Sequence, residues 1–157
     1  MHIIIFRHAE ASFSGGGKDF DRSLTARGKE KCFLRAKQLA GYLGKDVSVV
    51  CLVSPAVRTQ QTFDIISSDL LVKKLITEQR LYNAKWQVWM NCLNNLPETK
   101  SPIILVGHNP EISELVFELT GESMFLNPGN AVVISFELAA PAMISRQTGV
   151  IVKKWLD

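Results

Sequence analysis

The sequence predicts an α/β fold, a three-layer α/β/α sandwich with a mostly parallel central sheet and an antiparallel strand at the C-terminal end. Apolar runs of strand length alternate with segments of helical periodicity over most of the 157 residues, a pattern typical of a parallel sheet covered on both faces. The last two apolar runs have no helical pattern between them and predict an antiparallel pair. A hydrophobic content of 46% is enough to bury one substantial core. We therefore expect a single domain over residues 1–157.

The predicted strands are apolar runs, mostly rich in β-branched residues, that are too short to form helices of ordinary length. They are His2 to Phe6, Val47 to Val53, Leu71 to Ile76, Pro102 to Val106, Ala131 to Leu138 and Gly149 to Leu156. After the first strand, Gly15-Gly16-Gly17 offers no side chain for burial and no fixed backbone conformation. This segment predicts a mobile loop, which is either a plain connector or a cover over a binding crevice.

The predicted helices combine apolar residues at helical spacing with recognisable ends. The first covers residues 25–43, with Thr25 as its N-cap and Gly44 after its last turn. Two others begin with a capping residue followed by proline, at Ser54-Pro55 and at Asn109-Pro110. The helix after Ser54-Pro55 has its predicted buried face at Phe63, Ile66 and Leu70. The helix after Asn109-Pro110 has its buried face at Ile112, Leu115, Val116 and Leu119 and precedes Gly121. A further helix between these two is predicted from Trp86, Trp89, Met90 and Leu93.

Cationic and imidazole side chains follow three of the predicted strands. They are Arg7-His8, Arg58 in the turn after Ser54-Pro55, and His108. Ligands of open α/β sheets collect at the carboxyl ends of the strands, and planar guanidinium groups bind phosphate oxygens in pairs. The helix dipole disfavours a cation such as Arg58 in the first turn by about 0.3–1 kcal/mol, a cost that a bound anion relieves. The sequence therefore predicts a phosphate clamp of two arginines and two histidines.

Composition and motifs exclude several other classes of function. The net charge of +3 is small and the basic residues are scattered, so nucleic acid is not an expected partner. No apolar run reaches the roughly 18 residues that span a membrane. Three separated cysteines in apolar segments indicate reduced thiols and a cytoplasmic location. His8 and His108 lie in no metal-ligand motif, and no glycine-rich nucleotide fingerprint occurs, so we expect neither metal nor cofactor. His2, at the start of the first strand, receives no role.

The combination of these motifs resembles the histidine phosphatase superfamily, the branch related to phosphoglycerate mutase, and most closely its small SixA-type phosphohistidine phosphatases. The resemblance spans Arg7 to Pro110. The matching pieces are Arg7-His8, the segment Asp19 to Gly28, Ser54-Pro55 with Arg58-Thr59 and Thr62, Leu81-Tyr82, and Val106 to Pro110. One departure is Ala9, which stands where the superfamily commonly has glycine. We expect the small side chain to be tolerated there. The implied fold is phosphoglycerate mutase-like.

The resemblance also implies the roles of the site residues. His8 is the expected nucleophile, and Arg7, Arg58 and His108 are expected to hold the phosphoryl oxygens. Arg22 is an expected substrate contact. The physical requirement on His8 is a neutral ring whose second nitrogen donates a hydrogen bond to a backbone carbonyl or a similar acceptor. Two residues remain candidates for the general acid, Asp19 and Glu78, and the sequence does not choose between them.

The substrate expected from these features is phosphohistidine on a protein. A phosphoramidate nitrogen leaves with less help from an acid than an alkoxide does, and 49 residues between Arg58 and His108 leave no room for a deep lid. The expected partner is a histidine phosphotransfer domain or a phosphocarrier, and the oligomeric state is not predicted. The alternatives are a broad-specificity phosphomonoesterase or mutase acting on a small metabolite, and a catalytically silent module that binds phosphoproteins.

Overall fold

The computed structural model describes residues 1–13, 17–44, 46–138 and 140–157. Gly15 and Gly16 of the predicted glycine loop lie outside this part of the chain. Six strands form one sheet: β1 (His2–Arg7), β2 (Ser48–Val53), β3 (Leu71–Thr77), β4 (Ile103–Gly107), β5 (Ala131–Ser135) and β6 (Val150–Trp155). Four α-helices are described: α1 (Ala26–Leu43), α2 (Val57–Ile66), α3 (Trp86–Asn94) and α4 (Glu111–Thr120).

The strand order is β3-β2-β4-β1-β5-β6. β1, β2, β3 and β4 pair in parallel, whereas β5 is antiparallel to both of its neighbours, β1 and β6. The predicted sandwich with a mostly parallel sheet and an antiparallel C-terminal strand is confirmed. The order makes β2, β4 and β1 direct neighbours, so the segments that follow these three strands leave the sheet at adjacent positions on one edge.

The core lies on both faces of the sheet because alternate side chains of a strand point to opposite faces. Ile3 and Ile5 of β1 join one apolar cluster, whereas Ile4 and Phe6 join the other. α3 and α4 cover the first face, with Trp89, Leu93, Leu115 and Leu119 buried. α1 and α2 cover the second face, with Cys32, Leu39, Phe63 and Ile66 buried. Complete burial of one such aliphatic or aromatic side chain contributes roughly 1.5–3 kcal/mol.

Two of the predicted helix starts are wrong. α2 begins at Val57 rather than Pro55, and α4 begins at Glu111 rather than Pro110; neither helix has a side-chain N-cap. The hydroxyl of Ser54 and the amide of Asn109 bind groups elsewhere in the fold instead. α2 also ends at Ile66, before the predicted end at Leu70.

The start of α1 and the C-terminal ends of α1 and α4 agree with the prediction. The Thr25 side chain accepts a hydrogen bond from the Gly28 backbone N–H at 3.0 Å, as an N-cap does. Gly44 and Gly121 follow the last turns of these helices with φ angles of 89° and 76°, a region that glycine enters without steric cost. No helix in the described part of the chain has the length and apolarity to cross a membrane.

Candidate active site

A cleft of about 370 Å³ opens where β1, β2 and β4 end. Its lining residues are Arg7, His8, Glu10, Ala11, Asp19, Arg22, Arg58, Asn83, His108, Asn109 and Pro128. The structure therefore brings together the four clamp residues predicted from the sequence, with Arg22 and Asp19 beside them. A larger groove of about 470 Å³ lies against Trp86 and Phe117 and is lined by neither His8 nor His108.

His8 has the orientation expected of a nucleophilic imidazole. Its Nδ1 lies 2.8 Å from the carbonyl oxygen of Ala9, so Nδ1 carries the proton and donates, which leaves the lone pair on Nε2. Burial, aided by the positive charges of Arg58, Arg7 and Arg22, lowers the pKa of His8 to about 4 against the opposing effect of the Ala9 hydrogen bond. The ring is consequently neutral at physiological pH.

Arg58 is held in the cleft by contacts on every guanidinium nitrogen. Its Nε donates to His8 Nε2 at 3.2 Å, Nη1 donates to the Asp19 carbonyl at 2.6 Å, and Nη2 donates to Asp19 Oδ2 at 3.0 Å. The backbone of α2 is tied to the His8 segment as well, because Thr62 Oγ1 donates to the Arg58 carbonyl and accepts from the Ala9 N–H. In this arrangement, the lone pair of His8 Nε2 accepts a hydrogen bond from Arg58 Nε.

Arg7 and His108 each present a buried nitrogen that has no hydrogen-bond partner among the described residues. Arg7 donates from Nη1 to the Leu126 carbonyl at 2.9 Å, but its buried Nε is unpaired. His108 Nε2 lies 2.7 Å from Ser54 Oγ, and its buried Nδ1 is unpaired. Burial, followed by the charges of His8 and Arg58, lowers the pKa of His108 to about 3. Buried polar groups ordinarily have partners, so these nitrogens indicate a place for an oxygen-rich ligand.

Arg22 lies at the edge of the cleft and binds mainly the segment that follows His8. Its Nε donates to the Ser12 carbonyl at 2.6 Å, Nη2 to the Ala11 carbonyl at 3.4 Å, and Nη1 to Asp19 Oδ1 at 2.9 Å. Its charge is thus partly neutralised by Asp19 before any ligand arrives.

The two candidates for the general acid lie in different places. Asp19 lines the cleft and accepts hydrogen bonds from Tyr82, Arg22 and Arg58. The bonds from Tyr82 and Arg22 are the main reason that its pKa lies well below the usual value, so Asp19 is ionised. Glu78 lines a separate cavity near α3 and forms an ion pair with Arg80 at 2.6 Å. The structure therefore does not bring Glu78 to the clamp.

Three further polar residues line the cleft that the sequence prediction did not include. Glu10 lies two positions after His8, and its carboxylate accepts a hydrogen bond from Thr25 Oγ1 at 2.8 Å. Asn109 donates to the Leu126 carbonyl at 2.8 Å, the same oxygen that binds Arg7. Adjacency to His8 and His108 was an available signal for these two residues. Asn83, which has a positive φ of 52°, directly follows the Leu81-Tyr82 pair of the resemblance, so adjacency to a motif was a signal for this residue as well.

Ala9 is fully buried beneath the cleft. Its methyl group fits there without a positive φ, and its N–H donates to Thr62 at 3.1 Å. The alanine in place of the common glycine is compatible with the geometry of the site. No group of three or more His, Cys, Asp or Glu side chains suited to a metal ion occurs in the parts of the chain that the structure describes.

Comparison with known proteins assigns the family. The sequence profile of the histidine phosphatase superfamily (branch 1) matches residues 3–121, which contain every residue of the clamp. The chain belongs to the histidine phosphatase superfamily. An uncharacterised protein of Mycobacterium tuberculosis is 29% identical over 117 residues, which cover 74% of this chain and 71% of that protein.

Solved structures of histidine phosphatase-type proteins share the fold. A SixA protein from Nakamurella multipartitia superimposes with a TM-score of 0.82 at 22% identity, over 98% of this chain and 94% of that one. The structure of the protein histidine phosphatase SixA complexed with tungstate superimposes with a TM-score of 0.80 at 23% identity, over 99% of this chain and 97% of that one. A phosphoserine phosphatase from Entamoeba histolytica superimposes with a TM-score of 0.65 at 14% identity, over 98% of this chain and 95% of that one. At these identities the similarity establishes the architecture.

Proposed function

We propose that this member of the histidine phosphatase superfamily is a metal-independent phosphatase that removes phosphate from phosphohistidine on a protein. The observation that carries the proposal is the neutral His8, anchored through Nδ1 to Ala9, in the lining of a cleft beside Arg7 and His108, each of which has a buried nitrogen without a partner among the described residues. A neutral nucleophile beside unsatisfied donors is suited to attack on a phosphoryl group once Arg58 Nε releases its lone pair.

The reaction proceeds in two displacements. His8 Nε2 attacks phosphorus as the bond from phosphorus to the substrate nitrogen breaks, and the electron pair of that bond returns to the substrate imidazole. Water then attacks phosphorus and the P–N bond to His8 breaks. Phosphate leaves, and the electron pair of that bond returns to His8 Nε2. Arg58 Nε must exchange His8 Nε2 for a phosphoryl oxygen, because its present hydrogen bond occupies the attacking lone pair. Arg7, Arg58 and His108 stabilise the phosphoryl oxygens in both steps, and Arg22 contacts the substrate.

The state of the two candidate acids predicted from the sequence, Asp19 and Glu78, favours a P–N substrate over an alkyl phosphate. An alkoxide needs a proton as it leaves, whereas a substrate imidazole that is already protonated on its other nitrogen leaves as a neutral ring. Asp19 is ionised by its three donors and is therefore a weak proton source. Glu78 lines a different cavity. The name of one structural relative, the protein histidine phosphatase SixA, supports the same class of substrate.

The proposal includes a protein partner, either a histidine phosphotransfer domain or a phosphocarrier. The cleft is open to solvent beside exposed side chains such as Phe125 and Asp19, which suits a phosphoryl group carried on a protein surface. A cytoplasmic location and a single domain over residues 1–157 are parts of the same proposal. The free, buried thiols of Cys32, Cys51 and Cys92 support the location.

The test compares substrates in the presence of a chelator. Phosphoramidate, an aryl phosphate and a histidine phosphotransfer domain phosphorylated by its kinase are incubated with the wild type, with His8→Ala and with His2→Ala as the control histidine. We expect turnover in chelator, preference for the P–N substrates, loss of activity in His8→Ala alone, and an acid-labile phosphoenzyme on His8. Preference for the aryl phosphate would instead identify a phosphomonoesterase, and binding without turnover a silent binding module. An active His8→Ala variant would refute the nucleophile.

A further inference from the structure

Ser54 is a buried residue whose hydroxyl has one hydrogen-bond partner in the described structure, the Nε2 atom of His108 at 2.7 Å. The rest of Ser54 is fixed as well. Its N–H donates to the Val106 carbonyl at 3.1 Å, and its carbonyl accepts from Thr59 Oγ1 at 2.7 Å and Gln60 Nε2 at 2.8 Å. The hydroxyl therefore has a defined position at the end of β2, pointing to a ring on the neighbouring strand.

This contact determines which nitrogen of His108 carries the proton. A neutral imidazole has one N–H, and the low pKa of His108 keeps the ring neutral. If Nε2 carried the proton, the buried Ser54 hydroxyl hydrogen would have no acceptor among the described residues, and an unsatisfied buried donor is destabilising. The arrangement in which Ser54 donates to Nε2 satisfies both groups. The proton of His108 then lies on Nδ1.

Nδ1 is the nitrogen of His108 that remains for a ligand. It is buried and unpaired, and the ring lies beside His8 with 5.1 Å between the ring centroids. With a proton on Nδ1, His108 is a hydrogen-bond donor toward a phosphoryl oxygen. With the proton on Nε2, Nδ1 would present a lone pair to that oxygen and repel it.

We propose that Ser54 is a positioning residue that holds His108 as its Nδ1–H tautomer, so that His108 donates a hydrogen bond to the phosphoryl group at the His8 site. This inference rests on the phosphatase function proposed above and adds to it a residue that contacts no substrate. It also explains why Ser54 does not cap α2, because its hydroxyl is committed to the ring across the sheet edge.

The first measurement needs no variant. In long-range ¹H–¹⁵N NMR spectra of the wild-type protein at pH 7, we expect the ¹⁵N shifts of His108 to show a protonated Nδ1 and an unprotonated Nε2. A ring protonated at Nε2 would overturn the proposal whatever the enzymatic activity. This readout also separates the inference from the proposed function, since a protein that hydrolyses no phosphoryl substrate still reports its tautomer.

The second measurement uses Ser54→Ala, Ser54→Thr and the control Ser48→Ala, which removes a hydroxyl from the opposite end of β2, where it contacts Ser101. Loss of one oxyanion donor reduces kcat by about 10²–10³-fold. Without Ser54, some His108 rings would still carry the proton on Nδ1, so part of the donor effect would remain. We therefore expect kcat for phosphoramidate to fall roughly 10–100-fold in Ser54→Ala, with a smaller change in KM and a shift of His108 toward Nε2–H. Ser54→Thr keeps the hydroxyl and should restore both readouts, and Ser48→Ala should change neither.

Unchanged kcat together with an unchanged His108 tautomer in folded Ser54→Ala would refute the positioning role. Lost activity with the Nδ1–H tautomer intact would refute it as well, because the loss would then come from packing. If the wild type hydrolyses neither phosphoramidate nor the phosphorylated domain, the proposed function fails, and the ¹⁵N shifts decide the inference separately.

Discussion

Asp19 occupies the edge of Arg58 that would bind a phosphoryl group in the proposed function, so removal of its charge should strengthen oxyanion binding. Nε and Nη2 form one edge of the guanidinium fork, the edge that binds two oxygens of a phosphate side by side. In the structure, Nε contacts His8 Nε2 at 3.2 Å and Nη2 contacts Asp19 Oδ2 at 3.0 Å. A phosphoryl group must displace the carboxylate from this edge or share the edge with it.

The magnitude follows from charge and exposure. At an effective dielectric constant of about 20, two unit charges about 5 Å apart repel by roughly 3 kcal/mol. The Asp19 side chain is 50% exposed, and solvent screening of an exposed charge reduces such energies substantially. About half of that value, roughly 1.5 kcal/mol, corresponds to about a tenfold change in Kd. Asp19→Asn keeps the size of the side chain and an oxygen acceptor but removes the charge.

Calorimetric titration with tungstate at fixed ionic strength measures the effect directly. We expect Asp19→Asn to bind tungstate about tenfold more tightly than the wild type. The control is Asp21→Asn, which removes a charge from the same short 3₁₀ helix at a residue that does not line the cleft. Weaker binding by Asp19→Asn would refute the reasoning, since it would show that the carboxylate organises Arg58 for the ligand rather than competing with it.

Three other outcomes are expected. The pKa of His8 falls from 6.5 to about 4 on folding, so His8 alone accounts for a stability loss of roughly 3 kcal/mol as the pH falls from 6.5 to 4, at about 1.4 kcal/mol per pKa unit. The lowered pKa of His108 adds a loss of the same sign, so urea unfolding measures the sum. A His8 ring titration measures the His8 part, and a midpoint near 6.5 would contradict it. Gly28→Ala places a Cβ 2.2 Å from the Glu10 carbonyl oxygen and should destabilise the protein by about 1–3 kcal/mol. Gly41→Ala, in the same helix with no atom within 4 Å, should stabilise it by about 0.5–1 kcal/mol; thermal melts that show equal effects would refute the steric argument. Glu78→Gln should leave kcat/KM for phosphoramidate and for an alkyl phosphate unchanged, and a large loss with the alkyl phosphate alone would identify Glu78 as the acid.

The elements of the fold were predictable because their signals are local. Period-two and helical apolar patterns decide which face of each strand and helix is buried, and the Thr25 cap and the glycine after α1 act within one helical turn. The helix starts after β2 and β4 were mispredicted for a physical reason. Ser54 and Asn109 are good N-caps in isolation, but in the folded chain their side chains bind His108 and the Leu126 carbonyl.

The site was predictable in part for a similar reason. A parallel sheet gathers the residues that follow its strands at one edge, so Arg7, His8, Arg58 and His108 were expected near one another before any coordinates. The choice between Asp19 and Glu78 was not available from spacing. It depends on the path of two connecting segments. The segment that carries Asp19 returns to Arg58, whereas the segment that carries Glu78 places its carboxylate beside Arg80.

The sequence by itself determined the alternation of strands and helices, the two buried faces of the sheet and the positions of the predicted clamp residues after strand ends, because each depends on side-chain patterns over a few residues. Only the tertiary structure decided the strand order that makes β2, β4 and β1 neighbours, the ion pair between Arg58 and Asp19, and the hydrogen bond between Ser54 and His108. Asp19 and Arg58 are 39 positions apart, and Ser54 and His108 are 54 apart. Contacts at such separations arise from the packing of the whole chain, which no local pattern encodes.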